Sequence, residues 1–347
     1  VAGGSCYVAA VNELLIALLG ALLSTNQVAS VSNVVARSTG LVLPVTDPND
    51  PVEQEFQKVL ALDDGATAEV DQWIKENNAQ VDRGEPASLT LSARIEQRFD
   101  QVRKTYDEFI LHHPDHARAR LAYGSMLNDH QHEEQAVEQW EKARELDPKN
   151  PAPWNNLAES YSHHGPVTKS FEYLAKAIEL RPTEPLYRRN LALVVFLFRK
   201  DAQEFYHLAD DQAVLRRALE LYREARKLDP SDFVLATDLA QVFYYAKPPA
   251  TDTAVAAAEA DQKLCDEALS AWRDAERAAP GDSERQGVYI HMARVCLSHG
   301  RFAEARRQLE AVKDPGLEAL RNRVARNLAE QEKSKDPAAP ASPAVAR

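Results

Sequence analysis

The feature that most constrains this chain is an internal period. Pro114, Pro148 and Pro182 stand 34 residues apart. The text around them repeats as well: His-Pro-Asp at 113–115, Leu-Asp-Pro at 146–148, Leu-Arg-Pro at 180–182 and Leu-Asp-Pro again at 228–230. Self-similarity at such a period marks a stacked array in which no unit buries its apolar face alone. Between successive prolines lie two stretches of helical apolar spacing. Each proline stops the second stretch, because it lacks an N–H and its ring clashes with the preceding turn. Glycine is scarce, at 12 of 347 residues, about half its usual share. Tight turns are therefore few, and helices dominate.

Within the period the side chains resemble the tetratricopeptide repeat (TPR). That pattern has a large residue at position 4, Leu at 7, a small residue at 8 and Tyr or similar at 11. Ala follows at 20, an aromatic residue or Leu at 24, Ala at 27 and Pro at 32. The unit at 151–184 supplies Trp154, Leu157, Ala158, Tyr161, Ser170, Leu174, Ala177 and Pro182. The unit at 117–150 supplies Tyr123, Gly124, Leu127, Ala136, Trp140, Ala143 and Pro148, and departs at position 4, where Arg120 stands. Large residues fill the space between the two helices of a unit, A and B, and small ones let their backbones approach. The resemblance implies an all-α, right-handed α-solenoid of helix-turn-helix repeats.

Later units carry insertions. Pro182 to Pro230 is 48 residues, with the excess near Arg199 to Gln212; Pro230 to Pro280 is 50. Leu191, Ala192, Val195, Ala218, Tyr222 and Ala225 fill the first of these units, and Leu239, Ala240, Phe243, Ala268, Trp272 and Ala275 the second. Lys247-Pro248-Pro249 breaks the chain, and Asp252 is placed to cap a long second helix running toward Ala279. A last unit reads Tyr289, Met292, Ala293, Cys296, Gly300, Ala305, Leu309 and Val312. Leu317, Leu320, Val324 and Leu328 then share one helical face, as in a capping helix. At the front, Ile95, Phe99, Val102, Tyr106 and Phe109 form a stripe that reads as helix B of a degenerate first unit. Phe56, Val59, Leu60, Leu62, Val70 and Trp73 suggest helices before it, with a loop around Asn78 to Ser88. The expected organisation is a helical N-terminal module over 11–90, an array over 91–314, a capping helix over 315–333 and a disordered Ala/Pro-rich tail over 334–347.

The N-terminus admits two readings. The chain begins with Val1, and Val11 offers an alternative start, which would make 1–10, including Cys6, an upstream mis-start. Leu14 to Leu23 is apolar apart from Gly20. Ten residues are too few to span a bilayer, which takes about 20. The length fits the core of a signal peptide or anchor within 14–30, yet the one charge before Arg37 is Glu13, where such a segment wants cations. A buried helical hairpin is the other reading. The chain is accordingly expected to be cytoplasmic, with an exported, periplasmic form and membrane association through 14–23 as the alternative.

Charge and motif content narrow the function. Lys and Arg number 41 against 53 Asp and Glu, a net charge of −12, so a phosphate-binding nucleic-acid surface is disfavoured. Three cysteines make no disulfide framework, and Cys265 and Cys296 sit on helical stripes as core residues. No glycine-rich phosphate loop, G-x-S-x-G elbow or H-E-x-x-H motif is present, so no enzyme activity, cofactor or metal is expected. His130, His164 and His299 share the end of helix A, where a cation suits the helix dipole.

In TPR proteins positions 2, 5, 6, 9, 12 and 13 of helix A line the concave groove. The resemblance therefore implies a non-catalytic interaction scaffold that binds a protein partner, a peptide or a helix, through Asn155, Asn156, Glu159, Arg189, Asn190, Leu193, Phe196, Asp238, Gln241 and Tyr245. Asn156 and Asn190 share position 6, and an amide there offers both donor and acceptor to a peptide backbone. This resembles the asparagine ladder of some superhelices in the family. The carboxylate clamp that binds chaperone C-termini is excluded in this register: its five positions hold Leu121, Ser125, Asn156, Leu186 and Asn190, and only Asn156 agrees.

Overall fold

Helix start signals recur down the chain, and they set the architecture. In the computed structural model, which describes residues 50–82 and 91–335, Asn150, Glu184, Asp210, Asp232 and Thr253 each accept a hydrogen bond from a first-turn backbone N–H. Pro151 and Pro185 occupy the first turn, where a missing N–H costs nothing. The described residues are all-α. Two compact units divide at His130 and Gln131, which falls inside the unit expected at 117–150.

The first unit contains α1 (Pro51–Asp82), α2 (Leu91–His112) and α3 (Ala117–Asp129). The helices expected from Phe56 to Trp73 are one helix, and it continues through Asn78 to Asp82, where a loop was expected. That stretch has no Pro or Gly to stop it. The rest of the expected loop, 83–88, lies outside the described residues. Phe56, Val59, Phe99, Val102, Tyr106, Phe109 and Leu127 form the core. The α2 stripe is thus buried as its spacing requires. His116 caps α3 by accepting the Ala119 N–H at Nδ1, 3.0 Å away. Burial holds its pKa below the usual value, which keeps that nitrogen an acceptor.

The second unit runs α4 (Glu133–Leu146), α5 (Pro151–His164), α6 (Val167–Leu180), α7 (Pro185–Leu197), α8 (Arg199–Phe205), α9 (Asp211–Leu228), α10 (Phe233–Val242), α11 (Ala254–Ala278), α12 (Asp282–Ser298), α13 (Phe302–Glu310) and α14 (Glu318–Lys335). Each helix packs on the next in chain order, with α8 set between α6 and α9. One continuous core runs from Ala158 to Leu328. The small positions are fully buried: Ala158, Ser170, Ala177, Ala192, Ala218, Ala225, Ala240, Ala275, Ala293 and Ala305 are all at 0 % exposure. The helix pairs keep the register read from the sequence.

Several local details differ from expectation. The 199–212 insertion forms α8 and the start of α9. Thr253, not Asp252, caps α11, because its Oγ1 reaches the Ala256 N–H at 3.1 Å. The capping helix extends to Lys335, so Ser334 and Lys335 belong to it; residues 336–347 lie outside the described residues. Arg120 is not a defect at position 4. Arg120 Nε donates to the Pro114 carbonyl at 2.9 Å, Trp154 Nε1 to that of Pro148 at 3.1 Å, and Arg188 to that of Pro182. In these three repeats the position-4 side chain supplies an N–H that reaches back to the turn proline, from Trp or Arg alike.

A buried carboxyl in the first unit generates a pH-dependence. Asp63 is 3 % exposed and accepts from Tyr106 Oη at 2.9 Å. Burial raises its pKa to about 6, against the pull of that hydrogen bond and with help from Asp64 and Asp129. A carboxyl whose folded pKa is raised stabilises the fold below its unfolded value and loses that contribution as pH rises through 6. Asp63→Asn keeps the acceptor for Tyr106 and removes the charge. In urea titrations it is expected to raise stability by about 1–3 kcal/mol at pH 8, and the gain should shrink toward zero near pH 4.

Candidate functional site

The A helices of the second unit, α5, α7, α10 and α12, present the residues singled out by the sequence. Positions 5, 9 and 12 lie on one face because a helix returns to the same side every three to four residues. The structure separates that face into two layers.

The inner layer is spent on holding the helices together. Asn155 is 0 % exposed and Asn156 5 %. Asn190 Nδ2 donates to Asn155 Oδ1 at 2.9 Å. Arg189 Nε donates to Asp238 Oδ2 at 2.8 Å. In each case position 5 of one repeat reaches position 6 of the next. The amide orientation that satisfies Asn156 sets its Oδ1 3.3 Å from Trp140 Nε1 and its Nδ2 3.3 Å from the Ala152 carbonyl. Of the two amides expected to form a ligand ladder, Asn156 is buried and bonds within the fold, and the half-buried Asn190 bonds to Asn155. Burial raises the Asp238 carboxyl pKa, and Arg189 pulls it back.

The next rung was not legible in advance. Tyr244 Oη lies 2.9 Å from His291 Nδ1, and the His291 ring stacks on Trp272 with centroids 4.3 Å apart. Burial drives the His291 pKa down to about 3. His291 occupies position 6, as do Asn156, Asn190 and Asp238. That shared position was the available signal. Beneath it lies the position-24 aromatic of the preceding helix B: Trp140 under Asn156 and Trp272 under His291.

The outer layer faces solvent. Glu159 is exposed, and Leu193, Phe196 and Gln241 are half-buried. Tyr245 is 38 % and Leu197 45 % exposed. Phe196 and Tyr245 meet edge-on at 5.2 Å, and Arg199 lies 5.1 Å from the Tyr245 ring centre. The insertion holds this corner in place. Arg199 Nε pairs with Asp211 at 2.9 Å, and Gln212 donates to the Tyr245 carbonyl at 3.2 Å while accepting from the Lys247 N–H at 2.8 Å. Glu159 has an exposed surface, yet desolvation by the surrounding protein raises its pKa.

Helix α7 is the unusual element. Tyr187, Leu191, Ala192, Val194 and Val195 are buried in the core, while Leu186, Leu193, Phe196 and Leu197 lie on its other side at least partly exposed. Arg189 and Asn190 interrupt this second side and bond to neighbouring A helices, while the residues around them on that side are apolar.

The remaining candidates are local. His299 Nδ1 pairs with Asp261 at 2.9 Å, His164 Nδ1 with Glu133 at 2.9 Å, and the His130 ring lies tilted against Phe99. Cys265 and Cys296 are fully buried, and burial pushes their thiols up to about 11 and about 12. Neither presents a thiolate at neutral pH.

The Arg189–Asp238 bridge is testable by a double-mutant cycle. Arg189→Leu and Asp238→Leu should each lower stability by about 2 kcal/mol, because each leaves a half-buried charge without its partner. The double variant should cost less than the sum in urea titrations.

No protein-family model matches the chain, and no curated protein matches it. The chain is similar to several solved structures at low identity. Pseudomonas aeruginosa PilF is 15% identical, covering 78% of this chain and 100% of its own, with a TM-score of 0.47. YrrB, described as a TPR protein with an unusual peptide-binding site, is 14% identical, covering 66% and 97%, with a TM-score of 0.45. MamA is 16% identical, covering 56% and 95%, with a TM-score of 0.39. At these values the likeness assigns neither family nor function, and the repeat register rests on the spacing and packing described above.

Proposed function

We propose that the second unit is a non-catalytic protein-interaction scaffold that receives a peptide or partner helix on the outer layer of its A helices. The observation that carries this reading is the second apolar side of α7, formed by Leu186, Leu193, Phe196 and Leu197 with Tyr245 beside it. Partly exposed Leu and Phe side chains grouped on one side of a helix cost solvation unless a partner covers them. Asn155 and Asn156 support this face from behind and do not touch the partner.

Charged groups at the margin, Glu159 and Arg199, give the face orientation as well as affinity. The structure contributes no reading of the apolar run at 14–23, which lies outside the described residues. Among those residues no helix is long and apolar enough to cross a membrane.

The test is a crosslinking pull-down from the native lysate with three full-length chains: wild type, Leu193→Asp, and Glu172→Lys on the exposed side of α6. A partner held by wild type and Glu172→Lys and lost with Leu193→Asp is the expected result. Circular dichroism of Leu193→Asp should match wild type, since Leu193 lies on the surface side. A partner retained by Leu193→Asp and lost by Glu172→Lys would move the interface to the B helices.

A further inference from the structure

Each A helix of the second unit carries one residue at position 9, four after position 5 and so on the same face. In chain order these are Glu159, Leu193, Gln241 and Arg294. The row passes from a carboxylate through an apolar side chain and an amide to a guanidinium.

The two end charges are unspent. Glu159 meets no cation at ion-pair distance among the described residues, and the group that acts on it electrostatically is His163. Arg294 lies 4.7 Å from the Tyr244 ring centre and meets no carboxylate at ion-pair distance among the described residues. The charges between them are already neutralised, Arg189 by Asp238 at 2.8 Å and Arg199 by Asp211 at 2.9 Å. Gln241 is half-buried, and its side chain makes no hydrogen bond among the described residues. An amide offers a donor and an acceptor, and only an extended chain leaves its backbone groups free to pair with both.

We propose that this face binds an extended peptide whose charges run in the complementary order. A lysine or arginine sits against Glu159, a leucine or aromatic residue against Leu193 and Phe196, backbone groups against Gln241, and an aspartate or glutamate against Arg294. The inference rests on the interaction face proposed above and adds the chemistry of its occupant. Packed helices lie roughly 10 Å apart, and an extended chain advances about 3.3 Å per residue. Three helix-to-helix steps separate the ends of the row, so the two charges of the ligand stand about nine residues apart. Both pairs are partly solvated, so affinity falls as salt is raised.

The test is selection from a random sixteen-residue peptide library on the full-length chain. The expected enrichment is for peptides with a basic and an acidic residue about nine positions apart and a large apolar residue between them. Their affinity should fall about three- to tenfold with Glu159→Gln or Arg294→Gln. Selection on Glu159→Lys should replace the basic end by an acidic one. Enrichment of apolar peptides without charge order, lost in Leu193→Asp, would overturn the charge assignment and leave the interaction face standing. Charges about twenty positions apart, as a helical ligand needs at 1.5 Å per residue, would overturn the extended conformation. No enrichment, or enrichment indifferent to Leu193→Asp, would overturn both the peptide proposal and the face.

Discussion

The close approach of paired helices at small side chains is the constraint on which the second unit depends. Ala158 and Ala177, or Ala240 and Ala275, are wholly buried because no larger residue fits between backbones at that separation. Once the pairs close, Leu157, Phe171, Leu174, Leu191, Tyr222 and Trp272 have a continuous space to fill. The stack grows by nearest-neighbour contacts, so its stability is a sum of pair and interface contributions. The caps and the turn prolines fix where each helix begins and ends. The reach of Trp154 and Arg188 back to the proline carbonyls then closes each turn onto the next helix.

Close stacking brings polar groups on neighbouring A helices together, and this decides what the face can do. Position 5 bonds to position 6 of the following repeat in Asn155–Asn190 and Arg189–Asp238, and Tyr244–His291 continues the seam. A polar group half-removed from water has to find a partner, and here the partner is the next repeat. These side chains are thereby engaged within the stack. The proposed recognition face lies one helical turn further along, at Glu159, Leu193, Phe196, Gln241, Tyr245 and Arg294. The insertion at 199–212 belongs to this arrangement, because Arg199 and Gln212 hold the Tyr245 corner.

The repeat register was legible because proline, alanine and aromatic positions recur at fixed offsets, and each has a steric reason. Trp140, Ala143, Leu157 and Ala177 sit where the spacing placed them. The candidate site was legible as a face and not as contacts. Sequence spacing places Asn155 and Asn156 toward the groove, but it does not show that Asn190 and Trp140 come close enough to bond with them. Arg120 looked anomalous because the pattern asks for bulk, whereas its guanidinium N–H reaches the Pro114 carbonyl as the indole N–H of Trp154 reaches that of Pro148. His291 stayed hidden because its role comes from Trp272 and Tyr244, 19 and 47 residues away in the chain. The length of α1 was underestimated because the polar residues Asn78, Gln80 and Asp82 imitate a loop while meeting no helix breaker.

The central claim is that the inner layer of the A-helix face braces the stack while the outer layer meets the partner. Hydrogen–deuterium exchange on the full chain, with and without a bound peptide, separates the two most directly. The account predicts that in the free protein the backbone amides of α5, α7 and α10 are already strongly protected. Binding should then add protection at 193–197 and 241–247 and little on α6, α9 or α11. New protection concentrated on those B helices, or none near Leu193 and Tyr245, would contradict it.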